Sequence, residues 1–133
     1  GSLGQIADII RQVGNQISVF AGTGDLILPT LQMGGMGGIV GVANVAPHLC
    51  SSIFRFFRKG QLEDARNMQM IILQLNNLLT KRYNQISCTK EAMNQLGLPA
   101  GYPRRPSLPL SNSAKLDVTN AIQRLNLAVL ENV

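Results

Sequence analysis

The sequence predicts an α/β chain with two short parallel strands and their helices in front, and helices alone behind. Three observations lead there. The apolar period turns from helical to strand-like and back again twice before residue 60; no Lys, Arg, Asp or Glu occurs from Leu26 to Phe54; and beyond Gln61 only helical spacing recurs. Strands alternating with helices argue for parallel pairing, because a parallel pair needs a crossover between its members.

The elements follow in order. Leu3, Ile6, Ala7, Ile9, Ile10 and Val13 recur at helical spacing, with Gly14 placed as the stop. QISVFAG then reads as a buried strand carrying Ile17, Val19 and Phe20, and DLILPTLQM as a short helix with Asp25 in its first turn. GIVGV supplies the second strand. Pro47 suits the first turn of a helix reaching about Lys59, and Gly60 ends it.

The rear of the chain is helical throughout. Leu62, Ala65, Met68, Ile72, Leu75 and Leu79 mark one face of a long helix from Gln61 to about Arg82, widened by Ile71 and Leu78. This stripe of Met and Leu suits a core or a subunit contact rather than a cofactor box. Ser87 is placed to cap a further helix ended by Gly97, and LPAGYPRRPSLPLS is a proline-rich ordered loop. Ser111 to Ser113 precede a last helix carrying Val118, Ala121, Ile122, Leu125, Ala128 and Val129.

The stretch GGMGGIVGVANVAP, Gly34 to Pro47, admits three functional readings. As a membrane span it fails, because Gly34, Gly35, Gly37, Gly38 and Gly41 would each weaken a helix by roughly 1 kcal/mol relative to Ala, and Pro29 and Pro47 interrupt it. As a phosphate cradle it fails on spacing, offering neither G-x-G-x-x-G nor G-x-x-x-x-G-K-[ST], and Gly22-Thr23-Gly24 fails equally. As a strand with its entry turn it succeeds: Gly34 and Gly35 end a helix, Gly37 and Gly38 admit a close backbone approach, and Ile39, Val40 and Val42 make the strand. Absence of charge then follows from burial on both faces.

Composition excludes several classes. Twelve basic and seven acidic residues give a net charge of +5, and all basic residues but Arg11 follow the uncharged run. The pairs Arg58/Lys59, Lys81/Arg82 and Arg104/Arg105 read as helix-end and loop charges. With no Trp, two Tyr and no Arg-rich block, no platform for nucleic acid bases is visible, so no nucleic acid partner is expected. Cys50 and Cys88 form no C-x-x-C and are read as buried thiols in a reducing compartment. His48, the sole histidine, is too little for a metal cluster and falls at a helix start, where a surface or capping role is expected. No Ser/His/Asp triad is supported. No secretory signal is read at the front, and an intracellular site, cytoplasmic or mitochondrial, is expected.

GGMGGIVGVANVAP, preceded by VFAGTGDLILPTLQM and followed by GLPAGYPRRPSLPL, resembles the C-terminal part of the dihydrodipicolinate synthase/N-acetylneuraminate lyase family. The resemblance runs through nearly the whole chain. The LILPTL helix and the double glycine before Ile39 look more like 4-hydroxy-2-oxoglutarate aldolase and related sugar-acid aldolases, with dihydrodipicolinate synthase proper as the alternative. The family fold is a (β/α)8 barrel with extra C-terminal helices, acting on pyruvate through a Schiff base to a strand lysine. Such a barrel needs about 250 residues and eight strands. The resemblance therefore implies a partial TIM barrel, its last two β/α units at residues 1–60, and a C-terminal helical extension at 61–133.

It also implies that the Schiff-base lysine lies a few residues upstream of Gly1, with Gly1-Ser2 as the tail of its loop. Lys59, Lys81, Lys90 and Lys115 fall in helices or at their ends, where an exposed ammonium is no substitute for a desolvated amine. The chain alone is thus expected to be inactive. Carried over by resemblance, Gly22 and Thr23 at the end of the first strand and Ile39 on the last face the substrate, Ile39 as a buried aliphatic shielding an imine from water. Bland alternatives stand beside each: Gly22 making a turn, Thr23 capping the next helix, Ile39 filling the barrel. The implied partners are pyruvate or another 2-oxo acid and further copies of the chain, with no cofactor, no metal and no membrane. The rival reading is a non-catalytic basic α/β module that binds an acidic partner as a stable monomer.

Overall fold

The structure, a computed structural model, describes residues 2–131. Helix α1 spans Leu3–Val13, and the Ser2 side chain accepts the Gln5 N–H at 3.2 Å, satisfying one of the donors that every helix start leaves free. Two strands follow, β1 at Phe20–Ala21 and β2 at Gly37–Gly38, paired in parallel with Phe20 opposite Gly37 and Ala21 opposite Gly38. Their crossover is a 3-10 turn at Gly24–Leu26 running into α2 at Ile27–Gln32. Gly34 ends α2 at a φ of +97°; its N–H reaches Leu31 O at 3.1 Å and the Gly35 N–H reaches Thr30 O at 2.8 Å. This is a Schellman motif, whose left-handed residue is best supplied by glycine.

After β2 a second 3-10 turn, Gly41–Asn44, leads to α3 at Pro47–Arg58, with proline in its first turn. Gly60, at φ +74°, closes α3 in the same way and turns the chain into α4 at Leu62–Asn77. The last turn of that helix widens to π geometry at Leu78–Arg82. Then come α5 at Gln85–Gln95, α6 at Asn112–Arg124 and α7 at Leu127–Leu130. Helix α2 lies on the two strands and packs against α3 and α4, while α5 packs on α6. Ile53, Ile72, Leu75, Leu79 and Leu127, each under 2% exposed, are the largest apolar side chains at the centre of the resulting core. No helix among the described residues is long and apolar enough to cross a membrane.

The alternation of helices with two parallel strands agrees with the sequence expectation, but five local expectations need correction. The second strand is Gly37–Gly38 rather than GIVGV: the chain stays extended through Val40, then Gly41 enters the 3-10 turn. Burial on both faces is not observed, because α2 covers the strands on one side and no described element covers the other; Ile17, Phe20, Met36 and Ile39 are exposed. The cap of α5 is Asn84, whose side chain accepts the Ser87 N–H at 3.1 Å; Ser87 instead donates its hydroxyl to Leu108 O at 2.6 Å, fastening the proline-rich loop. The last helix is broken at Asn126, which adopts φ 52°, a left-handed conformation that asparagine tolerates. Leu62, placed on the buried stripe by its spacing, is 52% exposed in the first turn of α4.

Candidate functional site

Parallel pairing sends both strands the same way, so their carboxyl ends open side by side. The Ile39 N–H donates to Ala21 O at 2.8 Å, which sets Ile39 next to the Ala21–Gly22 step. Gly22 and Ile39 are therefore neighbours, and Thr23 follows one residue on. A Cβ at Gly22 would meet nothing within 4 Å, so this backbone stands open to an incoming group. Ile39 is 77% exposed rather than buried, because nothing among the described residues packs on that side of the sheet. Thr23 turns inward: its hydroxyl donates to Asp25 Oδ1 and accepts from Asn76 Nδ2 at 3.3 Å. It makes no side-chain cap to the helix that follows.

The inward turn of Thr23 belongs to a buried polar cluster that spacing alone did not single out. Gln69 of α4 accepts the Leu28 N–H at 2.8 Å and donates to Gly24 O at 2.8 Å. Asn76, about two turns further along the same face of α4, accepts the Gly24 N–H at 3.3 Å. Gly24 lies so close to α4 and to the 3-10 turn after β2 that a Cβ there would come within 2.6 Å of Val42 Cγ1 and 2.9 Å of Asn76 Oδ1. Lys81, on the π turn, brings its Nζ to 3.6 Å from Asp25 Oδ2. The visible sequence signal was that Gln69 and Asn76 share the face of Ala65 and Ile72, so two amides occupy core positions of an amphipathic helix.

The other candidates are engaged elsewhere. Lys59 is the C-cap of α3; Lys81 pairs with Asp25; Lys90 donates to Ala100 O; Lys115 lies 3.6 Å from Glu91. Lys90 and Lys115 are half-buried rather than exposed, but neither approaches the strand ends as a free amine. His48 lends only its backbone: the His48 and Leu49 N–H groups donate to the Glu131 carboxylate at 2.7 and 3.0 Å, an anion at the N-terminus of α3. Cys88 is buried and Cys50 half-buried; both are free thiols. Burial, reinforced by Glu131 for Cys50 and by Glu91 for Cys88, pushes them up to about 12 and about 11, so neither is an activated nucleophile. No group of His, Cys, Asp and Glu among the described residues is arranged to hold a metal ion.

An apolar groove of about 450 Å³ runs between β2 and α3 and is lined by Phe20, Met36, Val40, Cys50, Phe54 and Arg55 among others. Gly22, Thr23 and Ile39 do not line it. It is open, and Cys50, Ser51 and Arg55 supply the polar side chains on its wall.

Comparison with known proteins agrees with this architecture. A family model described as "Dihydrodipicolinate synthetase family" matches residues 1–125. The 4-hydroxy-tetrahydrodipicolinate synthase of Archaeoglobus fulgidus is 37% identical over 127 residues, which is 96% of this chain and 44% of that protein. The enzyme of the same name from Caldicellulosiruptor bescii is 31% identical over 131 residues, or 98% of this chain and 44% of that protein. A prophage protein of the dihydrodipicolinic acid synthase family from E. coli K12, solved in complex with pyruvate, superposes with a TM-score of 0.86 at 23% identity, covering 95% of this chain and 44% of that one. The chain spans about 44% of the length of these relatives.

Proposed function

Since the chain belongs to the dihydrodipicolinate synthetase family, we propose that it forms the last two β/α units and the C-terminal helices of a class I, pyruvate-dependent lyase. The observation that carries this reading is the pair of parallel strands whose carboxyl ends set Gly22 beside Ile39, since barrel enzymes do their chemistry at that end of their strands. In the full-length protein, an upstream lysine amine adds to the carbonyl of a 2-oxo acid and water leaves. The imine then withdraws electrons, so that the adjacent carbon loses a proton and attacks an aldehyde, or the reverse step cleaves a carbon-carbon bond. Gly22 offers open backbone to the substrate, Thr23 shapes the loop beside it, and Ile39 screens the imine once the rest of the barrel covers its face. The open groove along β2 and α3 suits packing against that remainder.

Among the reactions of this family the named relatives favour the synthase over the 4-hydroxy-2-oxoglutarate aldolase suggested by the LILPTL helix, since both carry the name 4-hydroxy-tetrahydrodipicolinate synthase. A homo-oligomeric assembly belongs to the same proposal, the exposed edge of the two strands being a surface that seeks pairing.

Borohydride reduction in the presence of pyruvate tests this. The full-length protein is expected to gain one pyruvyl adduct on a lysine preceding residue 1, and the present chain none. An adduct on Lys59, Lys81, Lys90 or Lys115 overturns the assignment of the nucleophile. No adduct on the full-length protein overturns the function.

A further inference from the structure

The loop from Gly22 to Leu28 carries two of the three candidate substrate residues, yet little of its own hydrogen bonding holds it. Its one backbone bond outside regular structure joins Leu26 N to Thr23 O at 3.1 Å. Apart from the Thr23 hydroxyl on Asp25 Oδ1, the side-chain bonds to the loop come from far along the chain. Gln69 grips both ends of the following turn, accepting the Leu28 N–H at its Oε1 and donating its Nε2–H to Gly24 O, each at 2.8 Å. Asn76 takes the Gly24 N–H at 3.3 Å and donates to Thr23 Oγ1 at 3.3 Å and Asp25 Oδ1 at 3.5 Å. Both amides are nearly inaccessible, at 7% and 2% exposure. A buried amide aimed at backbone groups has little freedom to choose other partners, because each lost bond leaves a desolvated group behind.

We propose that Gln69 and Asn76 of α4 are positioning residues for the substrate loop, so that the C-terminal helices set where Gly22 and Thr23 stand at the strand ends. The inference rests on the proposed function for what the loop does, and on this geometry alone for what holds it. Neither amide touches substrate. They act through the backbone of Gly24 and Leu28, and Asp25 and Lys81 extend the same contact to the π turn. Gly24 fits this role, since the absence of a Cβ is what lets the loop come within reach of Asn76.

The test uses the full-length protein with Asn76→Ala and the near-isosteric Gln69→Glu, which keeps the acceptor for Leu28 and loses the donor to Gly24 O. Val118→Ala, a fully buried truncation in α6 outside the loop, is the control for general destabilisation. Hydrogen exchange of the peptide covering residues 22–28 is expected to speed up about tenfold in both amide variants and to stay unchanged in the control. In steady-state assays, KM for the 2-oxo acid is expected to rise about tenfold in the amide variants with kcat within about twofold, and the control to leave KM unaltered. Unchanged exchange at 22–28 in both variants overturns the clamp itself. Faster exchange with an unchanged KM overturns its link to the substrate. A wild-type protein that traps no pyruvate overturns the proposed function, while the exchange result still decides whether α4 holds the loop.

Discussion

The segment that follows β1 and the segment that follows β2 leave the same end of neighbouring parallel strands, yet they are held in opposite ways. The second closes on itself: Ala43 N–H reaches Val40 O at 3.2 Å, Val45 N–H reaches Val42 O at 3.0 Å, and the Asn44 side chain donates to Gly41 O at 3.0 Å. The first is bonded chiefly by Gln69 and Asn76, more than forty residues away. A locally closed turn keeps its shape wherever it is placed. A remotely held one keeps its shape only while α4 is docked, so its geometry depends on the helical part of the chain.

The sharpest way to break the comparison is to remove the remote support and the local support in parallel. Gln69→Leu leaves the Leu28 N–H and the Gly24 carbonyl buried without partners, at a cost of about 3 kcal/mol. Asn44→Ala removes one exposed bond and costs about 1 kcal/mol or less. Urea unfolding of the full-length protein carrying each change measures both, and equal losses would remove the distinction between the loops. Next in size is a pair of glycines two residues apart. Gly24→Ala forces a methyl against Val42 and Asn76 and is expected to cost about 1–3 kcal/mol. Gly22→Ala, with open space around it, stays within about 0.5 kcal/mol in the same measurement. If Gly22→Ala proves the more damaging of the two, the close approach to α4 is not what fixes this loop.

The same contrast explains what was legible in the sequence. Many features written in neighbouring residues read correctly, among them the Gly14, Gly60 and Gly97 helix ends, Pro47 in its first turn, and two strands in parallel order, while the bounds of the second strand and the left-handed break at Asn126 did not. Features written across the chain were missed altogether. Glu131 capping α3, Ser87 bonding Leu108 rather than capping α5, and the amides of α4 gripping Gly24 all join residues far apart in sequence, and no local period announces them. At the candidate site the division is the same. Family resemblance led to Gly22, Thr23 and Ile39, but burial depends on what packs above a residue, so the exposure of Ile39 and the inward turn of Thr23 became visible only in three dimensions.

The smallest effect concerns the outer edge of the remote support, where Lys81 faces Asp25 across 3.6 Å. The lysine side chain is 63% exposed and the carboxylate 23%, so solvent screens most of their attraction and the pair adds less than about 1 kcal/mol. Lys81→Ala is therefore expected to lower stability only slightly at low salt and not measurably at high salt, where the Debye length shrinks to about 3 Å at 1 M. Asp25 keeps its bonds from Thr23 and Asn76 in that variant, so exchange at residues 22–28 is expected to remain slow. Rapid exchange there after Lys81→Ala would move the support of the loop from the buried amides to the ion pair, and a loop held that way would loosen with salt as the loop after β2 would not.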